Sequence, residues 1–142
     1  MFRFMLAAAA ALLLTGAADA ETITYLCRQP DVSEAAWLKS EMMAVHDTAA
    51  GTALAVDPVT QYFAGGPVEA KITRNDDKVV TFQWSVRTRG TNNRTGTIRY
   101  TLHIDKATLK SQSSATALGY RNRENQRGTC EILKGRPGKR KK

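Results

Sequence analysis

The sequence is sparing with the side chains that most often carry chemistry. Its 142 residues include two cysteines and two histidines. The cysteines, Cys27 and Cys130, lie far apart, with no CxxC pair and no histidine beside either. A metal centre needs three or four converging ligands, so thiolate chemistry of that kind is excluded. His46 and His103 belong to no His/Asp/Glu cluster at ligand spacing and read as solvent-facing structural residues. Ser33, Ser40, Ser85, Ser111, Ser113 and Ser114 lie in no GxSxG or SxxK context, and a nucleophile needs a base and an orienting group. Asp76 with Asp77, and Asp47 with Asp57, are the available carboxylate pairs. Turn chemistry accounts for the first and hairpin ends for the second. The expectation is a non-enzymatic protein with no metal and no cofactor.

Long apolar runs are also scarce. The clearest is Phe4–Leu14, too short to cross a bilayer as a helix, which takes ~20 residues. It follows a basic start, Met1-Phe2-Arg3, and precedes Ala18-Asp19-Ala20, a small-x-small end. That is the pattern of a signal peptide over 1–20, cleaved after Ala20. No cysteine follows the cleavage point closely enough to take a lipid, and no later segment is apolar enough to cross a membrane. The short, alanine-rich leader points to a bacterial periplasm, or otherwise to secretion. In an oxidising compartment an even cysteine count reads as a disulfide, Cys27–Cys130. It would tie the first strand to the last. By chain entropy, closing a loop of that size contributes up to ~4.7 kcal/mol, which is large beside a domain stability of ~5–15 kcal/mol.

Negative charge is the third shortage, but only locally. The net charge of +8 is concentrated at the C-terminus, where Lys134, Arg136, Lys139, Arg140, Lys141 and Lys142 stand together. Residues 21–133 carry fourteen Lys or Arg against twelve Asp or Glu. The folded body is thus nearly neutral and the basicity is a tail. Residues 134–142 include Gly135, Pro137 and Gly138 and no large apolar side chain. They cannot offset their ordering entropy and are predicted to be disordered. Such a tail suits a solubilising role, an anionic membrane surface or another polyanion. Nucleic-acid binding lacks the aromatic-interleaved basic strand it would need.

What is present is alternation. Val80, Phe82, Trp84 and Val86 share one side of a first arm, and Ile98, Tyr100, Leu102 and Ile104 one side of a second. Thr81, Gln83, Ser85 and Arg87, then Thr97, Arg99, Thr101 and His103, fall between them. This period of two marks a long β-hairpin over Val79–Asp105 whose eight large side chains seed the core. Its connection, Thr88–Arg94, is polar and cationic. Arg87, Arg89 and Arg94 there form a candidate binding loop for phosphate, sulfate or an acidic protein face, since guanidinium suits bidentate recognition.

The rest reads as shorter strands. Glu21–Cys27 is strand one, stopped by Pro30. Asp31 and Glu34 have capping-box spacing, so Ala35–Lys39 is either a short helix or a loop carrying an exposed Trp37, a candidate partner anchor. Glu41–Asp47 and Thr52–Asp57 form a hairpin turning at Gly51, with Met43, Val45, Leu54 and Val56 on a shared face. Val59–Gly66 is a connector after Pro58. Val68–Thr73 is a half-buried strand with a turn at Asn75-Asp76-Asp77. Ala107–Ser114 is a weak strand with Ala107 and Leu109 inward, and the chain continues extended to Tyr120. Asn122–Gln126 is a polar turn, and Arg127–Leu133 the last strand. About eight short strands at regular spacing predict a mainly β fold. It is an antiparallel meander, closed as a small barrel or folded as a sandwich, within a single domain over 21–133.

In outline, a leader followed by a small β domain with cysteines near both ends, here Cys27 and Cys130, resembles the periplasmic inhibitors of c-type lysozyme. The likeness covers the general plan and those two positions, and no inhibitory loop is matched to residues of this chain. What it implies is an inhibitor of a hydrolase. The residues themselves favour a broader reading: an exported binding or envelope-accessory module, with an acidic envelope protein or an anionic membrane surface as partner.

Overall fold

A computed structural model of the chain describes residues 21–30, 32–33, 36–90 and 92–133. The leader over 1–20, the proposed cap residues Asp31 and Glu34, and the basic tail over 134–142 lie outside the described residues.

Eight strands follow one another around a closed antiparallel barrel: β1 (Thr22–Arg28), β2 (Glu41–Asp47), β3 (Thr52–Val56), β4 (Val68–Asn75), β5 (Val79–Arg89), β6 (Thr95–Asp105), β7 (Lys110–Ala117) and β8 (Arg123–Leu133). Each strand pairs with the next, and β8 closes on β1. Closure removes the sheet edges that an open meander would leave to pair with other chains. A barrel therefore replaces the barrel-or-sandwich alternative.

The β5–β6 hairpin is the thick wall. Its register sets Val80 opposite Ile104, Phe82 opposite Leu102, Trp84 opposite Tyr100 and Val86 opposite Ile98. All eight are buried. Trp84 and Tyr100 stack with ring centroids 5.5 Å apart, and Phe82 meets Tyr25 at 5.9 Å. The opposite wall is correspondingly thin. Met42, Ala44, Ala53 and Ala55 point inward from β2 and β3. An eight-stranded barrel is just wide enough to be filled by side chains, so bulk on one wall requires small residues across from it.

That requirement decides which face of the β2–β3 hairpin turns inward. Met43, Val45, Leu54 and Val56 do share a face, with Met43 opposite Val56 and Val45 opposite Leu54, but it is the outer one. The solvent-facing reading of His46 is corrected: it is buried, its ring edge-on to Phe82 at 5.8 Å. Burial, aided by Lys106, holds its pKa below the usual imidazole value against the opposing pull of Asp47. Outside, β4 to β8 present Lys71, Arg99, Lys110 and Arg127. Apolar inside and charged outside is the reverse of the alternation a lipid-facing barrel needs.

Three further boundaries differ from the sequence reading. The connector after β3 holds a short helix, α1 (Pro58–Ala64). Asp57 caps it: its carboxylate accepts from the Thr60 N–H at 2.7 Å, and the Thr60 hydroxyl accepts from the Asp57 N–H at 2.9 Å. Pro58 fills the first turn, where no N–H is needed. β8 begins at Arg123, so most of the expected polar turn is strand. Ala107 is exposed in the turn before β7, and the inward row of that strand is Ser111, Ser113, Ala115 and Ala117. Residues 36–38 are bends and not helix, so Trp37 sits on a loop.

Cys27 of β1 and Cys130 of β8 stand directly opposite one another and are joined by a disulfide. The bridge therefore fastens the seam at which the barrel closes. Gly128 lies on the same strand. A Cβ there would run into the backbone carbonyl of Arg28 and would also meet the Ser111 hydroxyl at 3.1 Å.

Candidate functional site

The strand directions put four connections at one end of the barrel: 29–40, 57–67 with α1, 90–94 and 118–122. The turns 48–51, 76–78 and 106–109 lie at the other. The loop-bearing end holds an open cavity of about 490 Å³, within the range of small-molecule sites. Its floor is the inward row near the mouth, Ile98, Ala115 and Ala117. Trp37 forms one side, and Arg89, Arg94 and Tyr120 belong to its lining as well.

Trp37 is held there by contacts from distant parts of the chain. The Glu124 carboxylate accepts from the Trp37 N–H at 3.1 Å and from the Leu38 N–H at 2.9 Å. The Tyr100 hydroxyl donates to the Trp37 carbonyl at 3.0 Å. Below, Leu38 is fully buried and closes the core under the loop. The base of the same loop is fixed by Gln29, also fully buried: its amide nitrogen donates to the Lys39 carbonyl at 2.7 Å, and its side-chain oxygen accepts from the Ser113 hydroxyl. The Trp37 indole lies 6.3 Å from the Phe63 ring of α1 and remains 37% exposed. Residues 36–40 thus form a strap at the mouth, with Trp37 open to the cavity.

The electrostatics divide the mouth. Glu124 is engaged by two backbone N–H groups. Asp57 is buried, and burial pushes its pKa above the ordinary carboxylate value although the α1 cap pulls the other way. Burial, with Asp57 and Glu124 nearby, also drives the Tyr100 phenol well above its usual range. Arg89 and Arg94 have no salt-bridge partner among the described residues. The available charge in the cavity lining is therefore cationic, beside an aromatic and apolar interior.

The three candidate arginines do not act as one loop. β5 runs to Arg89, and the hairpin tip is tightened by Gly90 N–H donating to the Arg94 carbonyl at 2.8 Å. Arg89 and Arg94 line the cavity, whereas Arg87 faces outward on the β5 wall, opposite Thr97, and is not part of it. Glu124, Tyr120 and Ile98 are site residues that local sequence patterns did not single out. Among the described residues no group of three or more His, Cys, Asp or Glu is placed to hold a metal ion. No model of a known protein family, no curated protein and no solved structure matches this chain.

Proposed function

We propose that the protein is an exported, non-enzymatic binding module whose barrel mouth takes a small anionic molecule with an apolar or aromatic body. One observation carries the reading. The same cavity combines an apolar floor, a half-exposed tryptophan and two arginines without a salt bridge among the described residues. A carboxylate, sulfonate or phosphate would lie against Arg89 and Arg94, which can each offer two parallel N–H donors. The apolar body would displace water from Ile98 and stack on Trp37. The disulfide supports an oxidising compartment, and the leader pattern supports the periplasm.

The test uses 8-anilinonaphthalene-1-sulfonate, an aromatic sulfonate of this kind. It should bind saturably with one site per chain, and Arg89→Ser with Arg94→Ser should weaken it about tenfold, or ~1.4 kcal/mol. Binding that does not saturate, or that is indifferent to both substitutions, rejects the reading.

A second reading is favoured by Tyr62 and Tyr120, 82% and 71% exposed beside the mouth. Tyrosine and arginine are enriched at protein interfaces. On this view the loop-bearing end is the contact surface of a hydrolase inhibitor. It predicts a stoichiometric complex that Tyr62→Ser weakens while sulfonate binding persists.

A further inference from the structure

The outer faces of β5 to β8 form a second charged surface, apart from the mouth. The register fixes it as four cross-strand rows. One is Arg87–Thr97, and the next is Ser85–Arg99–Thr116–Arg123. The third is Gln83–Thr101–Ser114–Asn125, and the fourth is Thr81–His103–Gln112–Arg127. Lys71 and Arg74 of β4 extend the last two, opposite Gln83 and Thr81. No aspartate or glutamate occurs in the four rows. Apart from the His103 imidazole, the remaining positions are hydroxyls and amides. None of Arg87, Arg99, Arg123 and Arg127 has a salt bridge among the described residues. The ion pairs among the described residues lie at a turn and along the seam, Arg74–Asp76 at 2.7 Å and Arg28 with Glu41 at 3.1 Å and Glu131 at 3.3 Å, while Glu69 is exposed on β4 beside Lys71.

The wall has relief. Thr81 and Ser114 point outward yet are only 3% and 7% exposed, so longer neighbours overhang them. Two shallow concavities of about 510 and 300 Å³ share Gln112 and Arg127. The larger is also lined by His103, Lys110 and one carboxylate, Asp105. Strand rise sets Arg123 and Arg127 about 13 Å apart along β8. Arg87 and Arg99 are diagonal neighbours at about 7–8 Å.

We infer that this wall binds a linear acidic polysaccharide. Arginines spaced along and across the strands of this barrel wall meet carboxylate or sulfate groups recurring along an extended chain. Serine, threonine, asparagine and glutamine between them offer donors and acceptors to sugar hydroxyls. A single-stranded nucleic acid would need a series of aromatic faces on which to stack successive bases, and the four rows contain no Phe, Tyr or Trp and a single imidazole, His103. A lipid surface would need apolar anchors, which the rows also lack. The positive potential has a local reporter. His103, whose Nδ1 lies 2.8 Å from the Thr81 hydroxyl oxygen, has its pKa lowered first by burial and then by Arg123 and Arg74.

The test is titration of the full chain with alginate oligosaccharide at low salt, with neutral dextran and oligo(dT) alongside. Arg99→Ser, Arg123→Ser and Arg127→Ser together should weaken alginate binding about tenfold or more. Substituting Lys139, Arg140 and Lys141 by serine removes the same charge and should weaken it by about threefold or less. The wall variant should keep its affinity for the aromatic sulfonate, which shows it folded and separates this inference from the one about the mouth. Saturating alginate should also move the His103 titration upward, because bound anions offset Arg74, Arg123, Arg127 and Lys110 around it more than Asp105 already does. Equal weakening by the two triple variants, oligo(dT) binding as tightly as alginate, or no alginate binding would each overturn the inference.

Discussion

At one end of the barrel every hairpin turn is anchored by an aspartate at its start. Asp47 accepts from the N–H groups of Ala49 and Ala50, Asp76 from Lys78 and Val79, and Asp105 from Ala107 and Thr108. These are contacts within three residues, the local bonding that makes aspartate a turn former. They hold Asp76, helped first by Arg74, down at a pKa of about 2 and lower that of Asp105. At the other end local bonds, the Asp57–Thr60 cap and the Gly90–Arg94 tip contact, hold α1 and one hairpin but not the connection that carries Trp37. Trp37 and Leu38 of the strap are held by Glu124 and Tyr100, and Gln29 at its base by Ser113, each far along the chain. The closed end is thus specified by short stretches of sequence and can be left plain. The open end is specified by tertiary contacts, and it is there that the cavity, the tryptophan and the free arginines collect. A rigid frame with function on its loops is the common division of labour.

The comparison can be broken from either side. The largest effect should come from the frame. Gly128→Ala forces a Cβ against the Arg28 carbonyl at the seam, and overpacking against backbone costs about 3 kcal/mol. Denaturant unfolding should show that loss, while the folded fraction keeps its sulfonate affinity; a changed affinity would mean frame and mouth are coupled. Next is the strap. Glu124→Ala removes the acceptor for two N–H groups and should cost about 1–2 kcal/mol. Amide hydrogen exchange at Trp37 and Leu38 should accelerate and sulfonate binding should weaken. Unchanged exchange would show that the strap holds itself.

The smallest effect is at Asp57. Asp57→Ala loses the α1 cap and should cost about 1 kcal/mol. Asp57→Asn keeps a capping oxygen and removes a buried carboxylate whose Oδ2 has no partner. Burial puts the folded-state pKa above its ordinary value of 3.8, so the folded chain holds that proton more tightly. The contribution of the group to stability is full below that value and is lost as pH rises through the folded pKa. The asparagine variant should therefore match or exceed the parent at pH 7, and fall behind it at low pH. A uniform deficit across pH would show that capping, not burial, dominates.

The two ends also explain what was legible in the chain. The β5–β6 hairpin was readable because eight large side chains of period two leave no choice of face. The β2–β3 hairpin was readable as a hairpin but not as to which side faces in. Periodicity sorts residues into faces; only the volume already occupied by Phe82, Trp84 and Tyr100 decides that Ala44, Ala53 and Ala55 go inside while Met43 and Leu54 stay out. Pro58 read as a stop, where it begins α1 behind an Asp–Thr capping box. The start of β8 was hidden because Glu124 and Gln126 point inward at the mouth, so neither face looks apolar. Trp37 belongs to the site through a carboxylate 87 positions away, and no local pattern could announce that.

The seam between β1 and β8 has a practical corollary. Thr24 sits opposite Leu133, and Thr48 donates to the Glu21 carbonyl, so both ends of the described chain leave from the aspartate-anchored side. Anything joined directly at Glu21 or Leu133, whether a resin linker, a fluorophore or a fusion partner, holds the molecule from behind. Immobilised in that way it presents its opening outward, unobstructed by the attachment.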